Sequence, residues 1–269
     1  MRVTLLQTDI VWEDKQENLR LLRRKLKALR GVAEIVVLPE TFSTGFSMDS
    51  RRLAEPVSGV TIATLRQWAA EFQFAITGSY IACDEEVDAN KNAVPIPDKS
   101  YYNRAFFLTP EEGAYYYDKR HLFRMGQETE HFTAGSQRPV ISYRGWNILL
   151  VCYDLRFPVW SRNVNNEYDL LIYVANWPVP RRRVWDILLQ ARALENISYV
   201  CGVNRIGTDG NQMLYNGGSV IYSPKGDLLA SVPDHEEGTA TATLDLSVLR
   251  EFRQKFPAWK DAECFQIKN

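Results

Sequence analysis

The stretch LLVCYDLRFP, residues 149–158, decides where the fold places its reactive chemistry. Three apolar residues of strand character end at Cys152, and turn-forming and charged residues follow at once. Backbone N–H groups become available where a strand ends, so a thiol at this point suits a nucleophile better than a filler of the core. The sequence therefore predicts that Cys152 lies at the end of a strand and acts as a nucleophile.

Two other apolar runs end in the same way. Residues 35–38, IVVL, lead into a proline and then Glu40, and residues 115–118, YYYD, lead into Lys119. If the three strands are neighbours, a carboxylate, an ammonium and a thiol share one rim of a sheet. The pattern therefore predicts a site that contains Glu40, Lys119 and Cys152.

The composition describes a soluble globular protein without a nucleic-acid partner. Hydrophobic residues make up 45% of the 269 residues and charged residues 24%, which is enough apolar side chain for a large core. The formal net charge is −1, and the longest basic cluster is Arg181–Arg183, which is too short to track a phosphate backbone. Neither a nucleic acid nor an anionic membrane is expected as a partner.

The distribution of apolar and cysteine residues indicates a cytoplasmic protein without metal or cofactor. The first residues, MRVTLLQ, reach polar side chains at once and lack the apolar core of a signal peptide. No window approaches the ~20 apolar residues that a bilayer span needs. The four cysteines include no Cys-x-x-Cys pair, and the three histidines offer no metal-ligand spacing. Cys83, Cys201 and Cys264 are expected to be ordinary core or surface residues.

The alternation of strands and helices predicts a mixed sheet covered by helices, within a single α/β domain that spans residues 1–269. Segments that mix βα units with hairpins argue against a purely parallel barrel. Strands are expected at 3–8, 34–38, 74–82, 101–108, 113–117, 139–143, 146–151, 170–175, 199–204, 218–223, 228–231 and 239–244. Helices are expected at 15–30, 60–72, 184–196 and 246–252. Residues 84–100 and 121–138 are expected to be loops.

Three segments of the chain resemble the signature segments of the carbon–nitrogen hydrolase (nitrilase) superfamily. They are LPETF at 38–42, YDKRHLF at 117–123 and CYDLRFP at 152–158, and they occur in the family's order. Within that superfamily the chain most resembles the omega-amidases, through FRM at 123–125, YVANWP at 173–178 and KFPAW at 255–259. The resemblance implies a four-layer α-β-β-α sandwich, a homodimer, and an amidase that uses Glu40, Lys119 and Cys152.

The chemistry of these three groups can be argued without the resemblance. A free thiol has a pKa near ~8.5 and its thiolate is the nucleophile, so a neighbouring carboxylate can act as a general base. Attack on an amide carbon produces an oxyanion, for which Lys119 and the backbone N–H of Tyr153 are the expected donors. Ammonia leaves, a thioester remains on Cys152, and water activated by Glu40 releases the acid. No metal or organic cofactor is required.

The resemblance also implies a second glutamate in the loop that follows the lysine. The segment QETEHFTAG, residues 127–135, offers Glu128 and Glu130. Judged by its distance to Gly135, Glu128 matches the family position better. Glu128 is therefore expected to orient Lys119 or to assist proton transfer.

Three further residues are expected near the substrate. The resemblance suggests that the backbone of Asn176 positions the amide nitrogen and that Trp177 forms a wall. Two roles are open for Arg156. It can form a salt bridge with Asp154 or a nearby glutamate and so hold the turn, or it can bind a substrate carboxylate through two parallel N–H donors. The cluster Arg181–Arg183 follows Asn176-Trp177-Pro178 and could line the mouth of the site, but a solvated helix start is favoured. His121 is expected to be a structural residue.

The resemblance implies hydrolysis of the terminal amide of a short dicarboxylic acid monoamide, such as 2-oxoglutaramate or succinamate. An amidase or N-carbamoyl amino acid hydrolase with another substrate is the alternative within the same chemistry. A nitrile is less favoured. A catalytically silent scaffold and a metal-dependent amidase are alternatives from other classes, and the intact triad argues against the scaffold. Phe157 to Asn166 and the C-terminal tail are the expected dimer surface.

Overall fold

The computed structural model describes residues 1–84, 86–87, 93–94, 100–151 and 153–263. The strands are β1 (Arg2–Gln7), β2 (Ile35–Val37), β3 (Ala75–Cys83), β4 (Glu86–Val87), β5 (Ala93–Val94), β6 (Tyr101–Leu108), β7 (Ala114–Asp118), β8 (Val140–Tyr143), β9 (Trp146–Val151), β10 (Leu170–Ala175), β11 (Tyr199–Asn204), β12 (Ile206–Thr208), β13 (Leu214–Asn216), β14 (Val220–Tyr222), β15 (Leu228–Ser231) and β16 (Gly238–Thr243). The helices are α1 (Lys15–Lys27), α2 (Ser50–Leu53), α3 (Val60–Phe72), α4 (Glu128–His131), α5 (Arg182–Asn196) and α6 (Leu246–Lys255).

Two six-stranded mixed sheets form the centre of the molecule. The first has the order β16-β1-β2-β3-β6-β7, and the second has the order β15-β14-β11-β10-β9-β8. In each sheet three central strands are parallel, and the flanking strands pair antiparallel. β2, β10 and β11 are buried on both faces, and β2 and β10 are accordingly continuous apolar runs in the sequence.

The alternation of side chains along each strand builds a four-layer sandwich. Val3 and Leu5 of β1 pack between the two sheets against residues such as Ile172, whereas Leu6 faces the helix layer. Helices α1 and α3 cover the outer face of the first sheet, and α5 covers the outer face of the second. The structure confirms the α/β, four-layer α-β-β-α architecture that the sequence predicts.

Most long elements agree with the sequence prediction, and the short ones do not. α3 and β6 have the predicted bounds, whereas α1 ends three residues before the predicted Arg30. Helices α2 and α4 and the β12–β13 hairpin were not predicted, because a single turn or a three-residue strand carries no periodicity. The loop expected at 84–100 lies largely outside the described residues, as do Cys152, Cys264 and the end of the tail.

The strands that precede the three reactive residues are not neighbours, so the condition behind the shared-rim prediction is not met. β2 and β7 lie in the first sheet with β3 and β6 between them, and β9 lies in the second sheet. The reactive segments must therefore meet by another route, through the chain that continues beyond each strand.

Among the helices of the described ranges, none is long and apolar enough to cross a membrane.

One buried guanidinium fixes α6 to the sandwich. Arg253 is 8% exposed. Its Nη1 donates to Asp169 Oδ1 at 2.8 Å, its Nε donates to the Ile197 carbonyl at 3.0 Å, and its Nη2 donates to the Tyr168 carbonyl at 2.7 Å. Asp169 is itself buried. The Arg253–Asp169 ion pair therefore joins α6 to the second sheet next to the start of β10. It also neutralises a buried carboxylate.

We expect Arg253→Ala to lower the free energy of unfolding by about 3–5 kcal/mol, because Asp169 stays buried without its counter-charge. Lys255→Ala is the matched control on the same helix, since the Lys255–Glu251 pair is solvent-exposed. Urea unfolding of both variants measures the difference. An equal, small loss in the two variants would contradict the anchoring role of Arg253.

Candidate active site

Glu40 is positioned by a segment that leaves β2 and runs along β3. The Leu38 N–H donates to the Thr77 carbonyl at 2.7 Å, and the Phe42 N–H donates to the Ser79 carbonyl at 3.1 Å. Between them Thr41 has a left-handed backbone, with φ of 43°. The chain thus turns sharply at Glu40, and the carboxylate is 4% exposed.

Lys119 is positioned by the extension of β7 along β6. Its N–H donates to the Asn103 carbonyl at 3.0 Å, and its own carbonyl accepts from the Gly135 N–H at 3.0 Å. A Cβ at Gly135 would lie 2.1 Å from the Asp118 carbonyl oxygen, so only glycine permits this approach. The lysine is held on both sides of its backbone and is 2% exposed.

The Lys119 ammonium lies between two buried carboxylates. Its Nζ donates to Glu40 Oε1 at 3.0 Å and to Glu128 Oε1 at 2.9 Å. Asn103 Nδ2 reaches the same two oxygens, at 2.7 Å and 3.3 Å. The rings of Phe46 and Tyr153 lie 5.3 and 5.6 Å from Nζ. These contacts fix the ammonium as a donor in surroundings with little water.

Glu128 is the more buried of the two carboxylates and is fully shielded from solvent. Burial raises the pKa of Glu128, and the Lys119 ammonium acts against that rise. The Phe123 N–H donates to Oε2 at 2.5 Å. Glu130 is exposed. The geometry therefore supports the sequence choice of Glu128 over Glu130 as the residue that orients Lys119.

Glu40 also connects the two sheets. The Asn176 N–H, which follows β10 of the second sheet, donates to Glu40 Oε2 at 2.8 Å. The Asn176 side chain donates to the Glu40 carbonyl at 2.8 Å. Trp177 is then held by Asn204, whose Oδ1 accepts from the Trp177 N–H at 2.8 Å and whose Nδ2 donates to the Trp177 carbonyl at 2.8 Å. One carboxylate thus receives donors from both halves of the sandwich.

The turn that follows β9 is tied to the lysine segment by Asp154. The buried Asp154 carboxylate accepts from the Tyr117 hydroxyl at 2.5 Å and from the His121 N–H at 3.1 Å. The His121 ring also contacts Asp154 Oδ1 at 2.5 Å and stacks on Phe157. His121 is therefore structural, as expected. Arg156 lies in the same turn but is not among the residues that contact Asp154.

A cavity of about 660 Å³ lies over these groups. Glu40, Lys119 and Asn176 form its buried end, and the aromatic wall contains Phe123 and Tyr153. Further lining residues include Phe46, Trp177, Asp209, Tyr215 and the methionines Met48, Met125 and Met213. Arg181 also lines the cavity, which was the less favoured of the two interpretations of the arginine cluster. Such a mixture of apolar walls and a few convergent polar groups is typical of a small-molecule site.

The structure places the predicted residues in three groups. Glu40, Lys119, Glu128 and Asn176 form one hydrogen-bonded network. Tyr153 and Trp177 line the cavity above it. Cys152 lies outside the described residues, and its role stays a prediction.

Arg156 belongs to none of these three groups, and its role in binding substrate also stays a prediction. Its guanidinium lies 5.2 Å from the centre of the Trp177 ring, and it is not among the described residues that line the cavity. Asn103 was missed because a lone asparagine inside a strand gives no sequence signal. Within the described ranges no three His, Cys, Asp or Glu side chains cluster as metal ligands would.

The chain is similar to several known proteins along nearly its whole length. The family model described as carbon-nitrogen hydrolase matches residues 2–254. Omega-amidase YafV of Escherichia coli strain K12 is 42% identical over 268 residues, which cover 99% of this chain and 98% of the relative. The 2-oxoglutaramate amidase of Bacillus subtilis strain 168 is 29% identical over 264 residues, which cover 96% of both chains.

A solved structure has the same fold. XC1258 from Xanthomonas campestris, a CN-hydrolase superfamily protein with an arsenic adduct in its active site, superposes with a TM-score of 0.90. It is 36% identical, and the match covers 100% of this chain and 99% of XC1258. These findings confirm the family and the fold that the sequence predicts. The chain therefore belongs to the carbon–nitrogen hydrolase family and is an amide-hydrolysing enzyme.

Proposed function

We propose that this enzyme is an omega-amidase that removes ammonia from the terminal amide of a short dicarboxylic acid monoamide, with Glu40, Lys119 and Cys152 as its catalytic residues. The observation that carries the proposal is the Lys119 ammonium, held between two buried carboxylates at the inner end of the cavity. Cys152 directly precedes Tyr153, which lines the same cavity. Because Cys152 is the sequence neighbour of a cavity residue, its thiol is the nucleophile of the proposed mechanism.

The first half of the reaction forms a thioester. Glu40 takes the thiol proton of Cys152, and the thiolate attacks the amide carbon, so that an S–C bond forms and the carbonyl π electrons move to oxygen. Lys119 and the backbone N–H of Tyr153 stabilise this oxyanion. On its collapse the C–N bond breaks, the nitrogen takes the proton from Glu40, and ammonia leaves.

The second half returns the free enzyme. A water molecule gives its proton to Glu40 and attacks the thioester carbon, and the acid is released as sulfur leaves and regains the proton. Glu40 can act in both halves because Asn103, Asn176 and Lys119 fix its two oxygens in place. Glu128 then serves as a positioning residue, because its contacts hold Lys119 rather than substrate.

Two findings support the choice of substrate. The name omega-amidase belongs to a relative that is 42% identical along nearly the whole chain, and 2-oxoglutaramate is named for a second relative. We therefore propose 2-oxoglutaramate and succinamate as substrates, with 2-oxoglutarate and succinate as products. The cavity of about 660 Å³ also has room for a larger molecule, which favours a bulkier amide or an N-carbamoyl amino acid as the second candidate.

The chemistry also favours a reducing compartment, and we propose the cytoplasm. A catalytic thiol must remain reduced, and cytosolic thiols are kept so. Of the cysteines in the described ranges, Cys83 and Cys201 are both unpaired and buried. Burial raises the pKa of Cys201, so that thiol is not suited to nucleophilic attack.

We expect the purified enzyme to release ammonia from 2-oxoglutaramate and succinamate, and Cys152→Ala to abolish that release, because the thioester cannot form without the thiol. Glutamine and an N-carbamoyl amino acid complete the panel, and Cys83→Ala is the matched control. Preferred turnover of the carbamoyl compound would support the second candidate. Ammonia release that persists in Cys152→Ala would exclude the thioester mechanism.

Glu128→Gln is expected to lower kcat by roughly 100-fold with little change in KM, because Lys119 loses the charge that orients it toward the oxyanion. Glu130→Gln is the matched control two residues away, since Glu130 is exposed. Steady-state kinetics and far-UV circular dichroism of both variants separate catalysis from misfolding. A folded Glu128→Gln enzyme with unchanged kcat would refute the positioning role.

We also propose that the enzyme is a homodimer that pairs through the segment from residue 157 to 166 and the adjoining end of α5. Val159 and Val164 in this segment are 50% and 55% exposed, and Leu194 on α5 is 51% exposed. Arg162 Nη1 donates to the Glu195 carbonyl at 3.3 Å, so the segment and the helix end are in contact. Exposed apolar side chains on one face favour a protein partner.

Val164→Glu is expected to convert the dimer to a monomer, because two like charges and their desolvation would oppose pairing. Val60→Glu is the matched control at another exposed valine, at the start of α3. Sedimentation velocity at several concentrations measures the change. A dimer that persists in Val164→Glu, or a wild-type monomer, would show that this surface does not pair.

A further inference from the structure

Arg181 is the cation of the cavity that the mechanism does not use. It precedes α5 and lines the cavity with its side chain half-buried. Its guanidinium lies over the Phe123 ring, 4.8 Å from the ring centre. The Trp177 indole N–H donates to the Arg181 carbonyl at 2.8 Å. Both its backbone and its head group are therefore held by aromatic residues of the cavity wall.

No carboxylate of the described residues lies within ion-pair distance of Arg181, whereas the neighbouring Arg182 pairs with Asp186 and Asp234. A half-buried guanidinium without a counter-ion is unusual, because charges that leave water are normally paired. Burial and the nearby Arg156 lower the pKa of Arg181. The wall around Arg181 is thus positive and lacks an anion.

The carboxylates of the cavity wall are engaged elsewhere. Asp49 pairs with Arg52 at 2.6 Å, and Glu13 pairs with the same arginine. Asp209 accepts from the Tyr215 hydroxyl at 2.8 Å. Each of these groups already has partners and none of them pairs with Arg181, so an anionic ligand would supply its counter-charge.

Lys119 and Arg181 are both in contact with aromatic rings of the same cavity wall. The Lys119 ammonium lies 5.6 Å from the Tyr153 ring, and the Tyr153 ring lies 5.1 Å from the Phe123 ring. Arg181 lies over the Phe123 ring, so two aromatic rings in contact separate the two cations. A ligand that lies along these rings can present an amide to Lys119 and an anion to Arg181.

We propose that Arg181 binds the free carboxylate of the substrate and so makes the enzyme select monoamides of dicarboxylic acids over neutral amides. This inference rests on the proposed amidase function of the same cavity. A guanidinium offers two parallel N–H donors that match a carboxylate, and the Arg181 guanidinium lies over the Phe123 ring of the cavity wall. Arg181 therefore takes the carboxylate-binding role that the sequence left open for Arg156. Arg156 lies over the Trp177 ring and supplies a second positive charge.

The test compares succinamate with butyramide, which has the same acyl length and no carboxylate. We expect Arg181→Gln to raise KM for succinamate roughly 10- to 100-fold with a smaller change in kcat. The ratio of kcat/KM for succinamate to that for butyramide should fall by a similar factor. Arg181→Lys should lie between wild type and Arg181→Gln, because it keeps the charge and loses the fork.

Arg183→Gln is the matched control, since Arg183 is an exposed arginine two residues away and should keep the wild-type ratio. Arg156→Gln is measured in parallel. A wild-type ratio in Arg181→Gln, or a loss confined to Arg156→Gln, overturns the inference while the amidase proposal stands. A wild-type enzyme that hydrolyses no monoamide of a dicarboxylic acid overturns both.

Discussion

The buried ammonium of Lys119 is the constraint on which the rest of the site depends. A single cation out of water requires counter-charges, and two carboxylates supply them at hydrogen-bond distance. Glu40 in turn requires donors for its second oxygen, and the backbone of Asn176 provides one. Each buried charged group thus requires a further partner. Together these contacts bring residues of both sheets and of the loop that contains α4 into one network.

The same arrangement explains the separation of tasks around the cavity. Charged groups at the inner end are paired with one another and are nearly inaccessible to water, which strengthens their interactions with a reacting carbonyl. The walls are aromatic, and the rings of Phe123, Tyr153 and Trp177 contact one another in sequence. In the proposed mechanism, therefore, the charged groups at the inner end and the aromatic groups along the walls have different tasks.

The sequence pattern predicted a mixed sheet covered by helices and the residues next to strand ends, whereas the four layers were implied by the family resemblance. Glu40 and Lys119 follow apolar runs, and α3 has a clear helical period, so local pattern was enough for each. Asn103 could not be found in this way, because its importance comes from the position of β6 between β3 and β7 in the sheet. Arg181 looked like part of an exposed basic cluster, since its contact with Phe123 is visible only in three dimensions.

The bond between Asn176 and Glu40 has a consequence for how the chain reaches its active form. It joins residues that are 136 positions apart and belong to different sheets. Such non-local contacts close long loops and form slowly in comparison with helices and hairpins. A refolding chain can therefore regain most of its secondary structure well before this bond exists. Catalytic turnover would then recover later than ellipticity. The return of turnover would mark the time at which the two halves of the sandwich have docked.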